Sequence, residues 1–227
     1  SARGIVVSNV PGKTAPLVAE HALGLLMAVA KRATFQTTAM REGRWESVDG
    51  VFLRGKTLGV VGTGNIGAEM IQLGKAIGMN VIAWTFHPTP DRAEALGVEY
   101  VDLDYLLSRS DVVSLHVQQT PETHHMIGKR EIELMKSGAL IVNVSRGAII
   151  DTRAMVDALN SGHLSGAGLD VFEEEPIPPN HPLFDCQHIA ITPHVADMTP
   201  EGLDLLNEGV IDNVVAFFEG RPQNVVN

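Results

Sequence analysis

Short apolar runs alternate with amphipathic segments along most of the chain, and this rhythm predicts alternating strands and helices. The runs are rich in Val, Ile and Leu and are bounded by glycine, proline or polar residues, as buried strands are. The predicted strands cover residues 4–10, 58–61, 81–84, 98–100, 111–115, 139–144, 166–171 and 188–191.

The segments between these runs carry the signals of helices. The first of them has Thr14 as a candidate N-cap and Pro16 in its first turn, and Gly78 ends the second. The predicted helices cover residues 16–40, 65–77, 93–96, 103–108, 152–160 and 200–219. Strands that alternate with helices form a parallel sheet covered on both faces. The predicted fold class is therefore α/β, with a doubly wound parallel sheet.

The composition of the chain argues against nucleic acid and membranes as binding partners. The chain has 227 residues, of which 44% are apolar, and a formal net charge of -10, which disfavours nucleic acid. The apolar run 22–30 is far shorter than the roughly 20 residues that span a bilayer, so no membrane partner is expected. The single cysteine, Cys186, excludes an internal disulfide and fits a reducing, cytoplasmic location.

A glycine-rich turn follows the strand 58–61 and opens the helix 65–77. Its spacing is Gly62-x-Gly64-x-x-Gly67. In such a turn the first glycine permits a tight bend, the second lets the backbone approach a pyrophosphate, and the third lets helix and strand pack closely. The N–H groups of Asn65 and Ile66 would point at the phosphates from the helix N-terminus. The pattern predicts a Rossmann fold that binds a nicotinamide dinucleotide.

The sequence of the region that would bind the adenosine ribose does not decide between NAD and NADP as the cofactor. A dinucleotide fold usually places Asp or Glu about 20 residues after the glycine turn, but no acid occurs between Met70 and Pro90. Thr85 stands near that position, and its hydroxyl can bond a ribose hydroxyl without repelling a 2'-phosphate. His87 and Arg92 are candidates to face such a phosphate.

Three later segments place ionisable groups directly after predicted strands. Arg146 follows the strand 139–144, an acidic run from 170 to 175 ends the strand 166–171, and His194 follows the strand 188–191. Ligands of parallel sheets bind outside the carboxyl ends of the strands, so these groups are expected at one edge. Within the acidic run, Glu173 and Glu174 are expected to be solvated.

At these residues the chain resembles the D-isomer-specific 2-hydroxyacid dehydrogenases, which include phosphoglycerate, glycerate and D-lactate dehydrogenases. The resemblance covers nearly the whole chain in the family's order. Besides the glycine turn, it rests on Asn9-Val-Pro-Gly, Val18-Ala-Glu-His-Ala-Leu-Gly, Ser114-Leu-His-Val, Thr120-Pro-Glu-Thr, Asn143-Val-Ser-Arg-Gly, Gly168-Leu-Asp-Val-Phe-Glu-Glu-Glu-Pro and Thr192-Pro-His. It implies an oxidoreductase that transfers a hydride between a nicotinamide cofactor and a small 2-keto or D-2-hydroxy acid. NAD is the expected cofactor and NADP the alternative.

The resemblance assigns Arg146, Glu175 and His194 as the catalytic residues; Glu175 is chosen because it directly precedes the proline. A guanidinium suits the carboxylate and carbonyl of a keto acid, and an imidazole beside a carboxylate can give and take the hydroxyl proton. For His116 the alternative is a core position, and for Asp170 a structural role. The expected cofactor-binding residues are Gly62, Gly64, Asn65, Ile66, Gly67, Thr85, His116, Val117, Val144, Ser145 and Asp170.

The resemblance also implies a domain arrangement. Family members carry a further substrate domain ahead of the segment that begins at Ser1. We therefore expect residues 1–227 to form a single dinucleotide-binding domain, with 1–13 and about 200–227 as hinge segments towards an absent substrate domain. A homodimer is expected, because helices similar to 16–40 pack across a two-fold interface in the family.

Other functions stay open at this point. Corepressors that resemble the family, the C-terminal binding proteins, use the same fold as dinucleotide-sensing modules. Formate oxidation is disfavoured, because formate dehydrogenases usually have Gln where Glu175 stands. No metal is expected, since the spacing of His181, Cys186 and His188 matches no zinc pattern.

Overall fold

The computed structural model describes residues 4–227, and a parallel sheet lies at its centre. In this part of the chain seven strands form one sheet in the order β3-β2-β1-β4-β5-β6-β7, and all neighbours pair in parallel. The strands are β1 (Thr57–Val61), β2 (Asn80–Trp84), β3 (Glu99–Tyr100), β4 (Val112–Leu115), β5 (Ala139–Asn143), β6 (Leu164–Leu169) and β7 (Ile189–Ile191). The predicted doubly wound α/β sheet is confirmed.

Helices cover both faces of this sheet. They are α1 (Ala15–Ala30), α2 (Ala33–Arg41), α3 (Asn65–Ala76), α4 (Pro90–Leu96), α5 (Leu103–Arg109), α6 (Lys129–Leu134), α7 (Thr152–Asn160) and α8 (Pro200–Phe218). The apolar sides of α1 and α3 pack on one face, and those of α5, α6 and α7 pack on the other. Successive side chains of a strand point to opposite faces, so Ile141 of β5 joins one core and its neighbours Leu140 and Val142 join the other. Both faces are therefore apolar, as the sequence runs predicted.

Strand order determines where a ligand can bind. The chain builds β1, β2 and β3 outward in one direction and then returns to place β4 on the other side of β1. Loops that leave the carboxyl ends of β1 and β4 diverge there and open a crevice. The glycine turn leaves β1 at this point.

Helix α1 ends earlier than predicted. The sequence predicted one helix over 16–40, which is wrong: Arg32 has a left-handed backbone, with φ of 56°, and separates α1 from α2. Its guanidinium is buried and donates to the carbonyl of Ser165, at 2.5 Å, and to that of Asp49. These contacts with β6 and with the segment at Asp49 override the helical preference of the local sequence.

Two strand predictions also need correction. Residues 4–10 form no strand; Ser8 makes an isolated antiparallel bridge to Val225, because the partner of this segment is the end of the chain rather than the sheet. The strand predicted at 166–171 begins and ends two residues earlier, so Asp170 lies beyond β6 in the loop. Among the helices, the short and polar α6 was not predicted at all. No described helix is long and apolar enough to cross a membrane.

Candidate active site

The glycine turn has the backbone that its spacing predicts. Gly62 has φ of 92°, a left-handed value that other residues adopt at a cost. A Cβ there would lie 2.8 Å from the carbonyl group of His116, and a Cβ on Gly67 would overlap the carbonyl oxygen of Gly62. These two glycines are therefore needed for the chain to pack against itself.

Gly64 differs, because a Cβ there would meet nothing within 4 Å. It is the N-cap of α3, and no side chain caps the first turn of that helix. Among the described residues no side chain accepts from the N–H groups of Asn65 and Ile66, which stand at the positive end of a helix of three turns. Space beside Gly64 and uncapped N–H donors together fit the pyrophosphate of a dinucleotide.

Thr85 lies directly after β2 and lines a cavity of about 750 Å³ beside the turn. The wall includes the aromatic residues Trp84, Phe86, Tyr100 and Tyr105. Tyr100 also fixes the turn itself, because its hydroxyl lies 2.9 Å from that of Thr63, the buried residue between Gly62 and Gly64.

His116 and Val117 leave β4 on the other side of the crevice. The ring of His116 is buried, with Nε2 2.8 Å from the hydroxyl of Ser114 and Nδ1 without a partner among the described residues. Burial lowers the pKa of His116 to about 3, so the imidazole is neutral at physiological pH. Val117 is buried beside it.

Loop 144–149 carries Arg146 and follows β5. Asn143 fixes this loop: its side-chain carbonyl accepts from the N–H of Ser145 at 2.9 Å, and its amide donates to the carbonyl of Arg146 at 2.8 Å. Val144 and Ser145 are buried, whereas Arg146 is exposed. A Cβ on Gly147 would overlap the backbone of Phe172, so the loop after β5 lies directly against the loop after β6.

Asp170 has a fully buried carboxylate that joins two loops. Its Oδ1 accepts from the Thr192 hydroxyl at 2.5 Å and from the N–H of Val195 at 3.0 Å, and its Oδ2 accepts from the N–H of Ala196 at 2.9 Å. His21 of α1 reaches the same cluster, with Nε2 2.8 Å from the Thr192 hydroxyl. These contacts order the segment that carries His194.

Glu175 and His194 form a hydrogen-bonded pair at the carboxyl edge of the sheet. Their closest atoms, Oε2 and Nδ1, are 2.7 Å apart, and His194 has a left-handed backbone with φ of 56°. Partial burial alone would raise the pKa of Glu175. The hydrogen bonds from His194 and from the N–H of Phe172, with the charges of His194 and Arg146, reverse this and bring the pKa below its ordinary value.

Glu173 and Glu174 of the acidic run are both exposed, as predicted. Glu173 also has partners that the sequence did not indicate: it accepts from the N–H of Thr152 at the start of α7, at 2.9 Å, and lies 3.0 Å from Nε2 of His125. The roles of His125 and Asn143 were not predicted: the partner of His125 is 48 residues away in the chain, and the bonds of Asn143 are local contacts that the apolar pattern does not reveal.

Comparison with known proteins identifies the family. Residues 23–196 match the NAD-binding domain of the D-isomer-specific 2-hydroxyacid dehydrogenases. The chain belongs to this family. A glyoxylate reductase of Thermococcus litoralis is 43% identical over 99% of the chain and 71% of the relative. A D-lactate dehydrogenase from Aquifex aeolicus, solved with NAD and lactic acid, superposes with a TM-score of 0.85 at 34% identity, over 97% of this chain and 71% of that one.

An acyclic imino acid reductase solved with NADPH and D-Arg has a TM-score of 0.89 at 27% identity, over 100% of this chain and 72% of that one. Membership of this family confirms the prediction of an NAD(P)-dependent oxidoreductase that acts on 2-hydroxy and 2-keto acids. NAD is the cofactor of the family's NAD-binding domain, and NADP is the alternative. It supports this function over the corepressor-like alternative.

We predict that Asp170→Asn will destabilise the domain by about 1–3 kcal/mol, because an amide nitrogen would replace an oxygen that accepts a buried hydrogen bond. Amide hydrogen exchange at Val195 and Ala196 should become faster. Urea unfolding and exchange by NMR would measure both effects. Asp157→Asn, on the exposed side of α7, is the control. Unchanged exchange at Val195 and Ala196 would show that Asp170 does not order this loop.

Proposed function

We propose that the protein reduces small 2-keto acids to D-2-hydroxy acids and catalyses the reverse oxidation, with Arg146, Glu175 and His194 as catalytic residues. The observation that carries the proposal is the 2.7 Å pair of Glu175 and His194, with the charge of Arg146 close enough to act on Glu175. The names of the relatives, glyoxylate reductase and D-lactate dehydrogenase, support a short substrate side chain.

The chemistry follows from these three side chains. Arg146 is exposed and has a fork of N–H donors that can hold the carboxylate and carbonyl oxygens of a keto acid. When bound, the nicotinamide ring supplies or accepts the hydride. Protonated His194 gives its Nε2 proton to the new alkoxide oxygen, and neutral His194 removes the hydroxyl proton in oxidation. Glu175 holds the ring by Nδ1 and stabilises its protonated form.

The cofactor would lie across the carboxyl edge of the sheet. We assign Gly62, Gly64, Gly67, Asn65 and Ile66 to the pyrophosphate. Thr85 would bind the adenosine ribose, and the loops after β4 and β5, with His116, Val117, Val144 and Ser145, would line the crevice. Asp170, whose carboxylate also accepts three hydrogen bonds that order the His194 loop, would lie near the nicotinamide amide.

We further propose that residues 1–13 and about 200–227 are hinge segments. Support comes from their pairing: Asn9 donates to the carbonyl of Asn224 at 3.0 Å, and Val226 donates to that of Val7 at 2.9 Å. The two segments thus leave the domain together, as connections to a substrate domain would. Residues 1–227 alone should then bind NADH and show little turnover; vigorous keto-acid reduction by this segment would contradict the proposal.

A homodimer and a cytoplasmic location also belong to the proposal. The loop after α2 exposes 89% of Trp45 and 70% of Phe52, an apolar surface that a second subunit would cover. Sedimentation as a monomer at micromolar concentration would count against the dimer. Cys186, the single cysteine, is buried and forms no disulfide, which suits a reducing compartment; recovery of the native protein only from a secreted fraction would argue otherwise.

Gly64→Val should weaken NADH binding at least tenfold, about 1.4 kcal/mol, because its side chain would fill the space that the pyrophosphate needs. The stability of the domain should barely change, since a Cβ at this position meets no protein atom. Fluorescence titration with NADH measures the affinity. Gly24→Val in α1, where a Cβ also meets open space, is the control. If wild type and Gly64→Val bound NADH with equal affinity, the glycine turn would not be the cofactor site.

Glu175→Gln should move the pH dependence of both reactions in one direction. Without the carboxylate the protonated imidazole loses its partner, so His194 would release its proton at a lower pH. Reduction needs protonated His194, and its upper pH limit should fall. Oxidation needs the neutral ring, and its lower limit should also fall. Initial rates from pH 5 to 10 in the full-length protein would show both shifts.

His194→Gln serves as the reference for this experiment. It should reduce turnover by about a hundredfold or more, the usual scale for a positioned acid–base group, and leave NADH affinity nearly unchanged. If Glu175→Gln gave the wild-type pH profile in both directions, the pair would not be coupled in catalysis.

A further inference from the structure

We propose that Arg92 is the recognition residue for the 2'-phosphate of NADP(H), so that this domain binds NADP(H) at least as well as NAD(H). The inference rests on the proposed cofactor site at the glycine turn. It concerns the adenosine end of that site, whereas the catalytic residues lie at the other end. Binding alone can therefore test it.

The end of β2 lacks the group that selects NAD. A carboxylate at this position binds both ribose hydroxyls of NAD and repels the 2'-phosphate of NADP. Here β2 ends at Trp84 and is followed by Thr85, Phe86 and His87, with no acidic residue between Met70 and Pro90. The segment directly after β2 therefore presents a hydroxyl and no carboxylate to a second phosphate.

Arg92 brings a positive charge to the same corner. It lies in the first half of α4, yet its guanidinium reaches back and donates to the carbonyl of Thr63, inside the glycine turn. That carbonyl is held in place, because the Thr63 side chain is buried and bonded to Tyr100. A cation is thus fixed between the turn and the end of β2, which is where the ribose of a bound dinucleotide lies.

Most of the hydrogen-bonding capacity of Arg92 is unused. A guanidinium has five N–H donors, and among the described residues Arg92 forms no ion pair with a carboxylate. Its partner is a neutral carbonyl, although a phosphate would make shorter and stronger charge-assisted bonds. The residue is exposed, so a ligand can reach it.

Two carboxylates lie near the proposed ribose site, so a phosphate bound there needs a positive charge to offset their repulsion. Glu99 and Asp102 line the same cavity as Thr85, and both would repel a phosphate dianion. The helix that carries Arg92 is also anchored, since Lys75 of α3 donates to the carbonyls of Leu96 and Gly97 at 2.6 and 2.7 Å. Arg92 is therefore held near the glycine turn both by its own contact with Thr63 and by the anchoring of α4.

Fluorescence titration of residues 1–227 with NADH and NADPH tests the proposal without turnover. Wild type should bind NADPH as tightly as NADH or more tightly. Arg92→Gln should weaken NADPH about tenfold or more and change NADH less than about twofold, because only NADPH has the second phosphate. Thr85→Asp should also weaken NADPH about tenfold by adding the missing carboxylate.

Two controls separate Arg92 from general charge effects. Arg153→Gln removes the same charge from the exposed side of α7, and His87→Gln removes the other candidate near β2; each should leave both affinities within about twofold. Equal losses of NADH and NADPH affinity in Arg92→Gln, a selective loss in His87→Gln, or a wild type that binds NADH more than about twofold more tightly than NADPH would each overturn the proposal. Failure of wild type to bind either dinucleotide would overturn the proposed cofactor site as well.

Discussion

The candidate active site depends on the hydrogen bonds of Asp170. Because its carboxylate has no exposed surface, all of its hydrogen bonds must come from groups inside the protein. Removing a charge from water costs several kcal/mol unless hydrogen bonds replace the hydration. Asp170 obtains those bonds from the Thr192 hydroxyl and from the N–H groups of Val195 and Ala196. The segment on either side of His194 is thereby fixed to the end of β6. Glu175 lies in the same loop as Asp170, so the bonds of one buried carboxylate hold together the two loops that carry Glu175 and His194.

The parts of the fold that depend on local chemistry could be predicted from sequence. Apolar runs gave the strands β1 to β7 within a few residues, because a strand buried on both faces has few alternatives to a continuous apolar run. The glycine turn was predicted residue by residue, since Gly62 and Gly67 are required by backbone packing that no other residue permits. Polar residues after the strands were expected at one edge, and Arg146, Glu175 and His194 do lie there.

The failures have a common physical cause, which is contact between segments that are distant in sequence. Arg32 interrupts a helical pattern because its buried guanidinium reaches Ser165. Glu173 is exposed as predicted, but its hydrogen bonds were not predicted, because His125 and Thr152 lie 48 and 21 residues away in the chain. The contact of Arg92 with Thr63 could not be read from spacing either. In each case a side chain satisfied a remote backbone or side-chain group, which a periodicity analysis does not see.

The pairing of the two ends of the described chain has a consequence for folding. Residues 7–9 bond to 224–227, and the N–H of Val7 reaches the side chain of Asn227 across a sequence separation of 220. Contacts of such separation bring a large loss of chain entropy, so they form after the sheet and contribute little to the folding nucleus. They are also few and exposed, which places them at the low end of local stability. The hydrogen bonds between residues 7–9 and 224–227 should therefore break and re-form many times while the sheet stays folded.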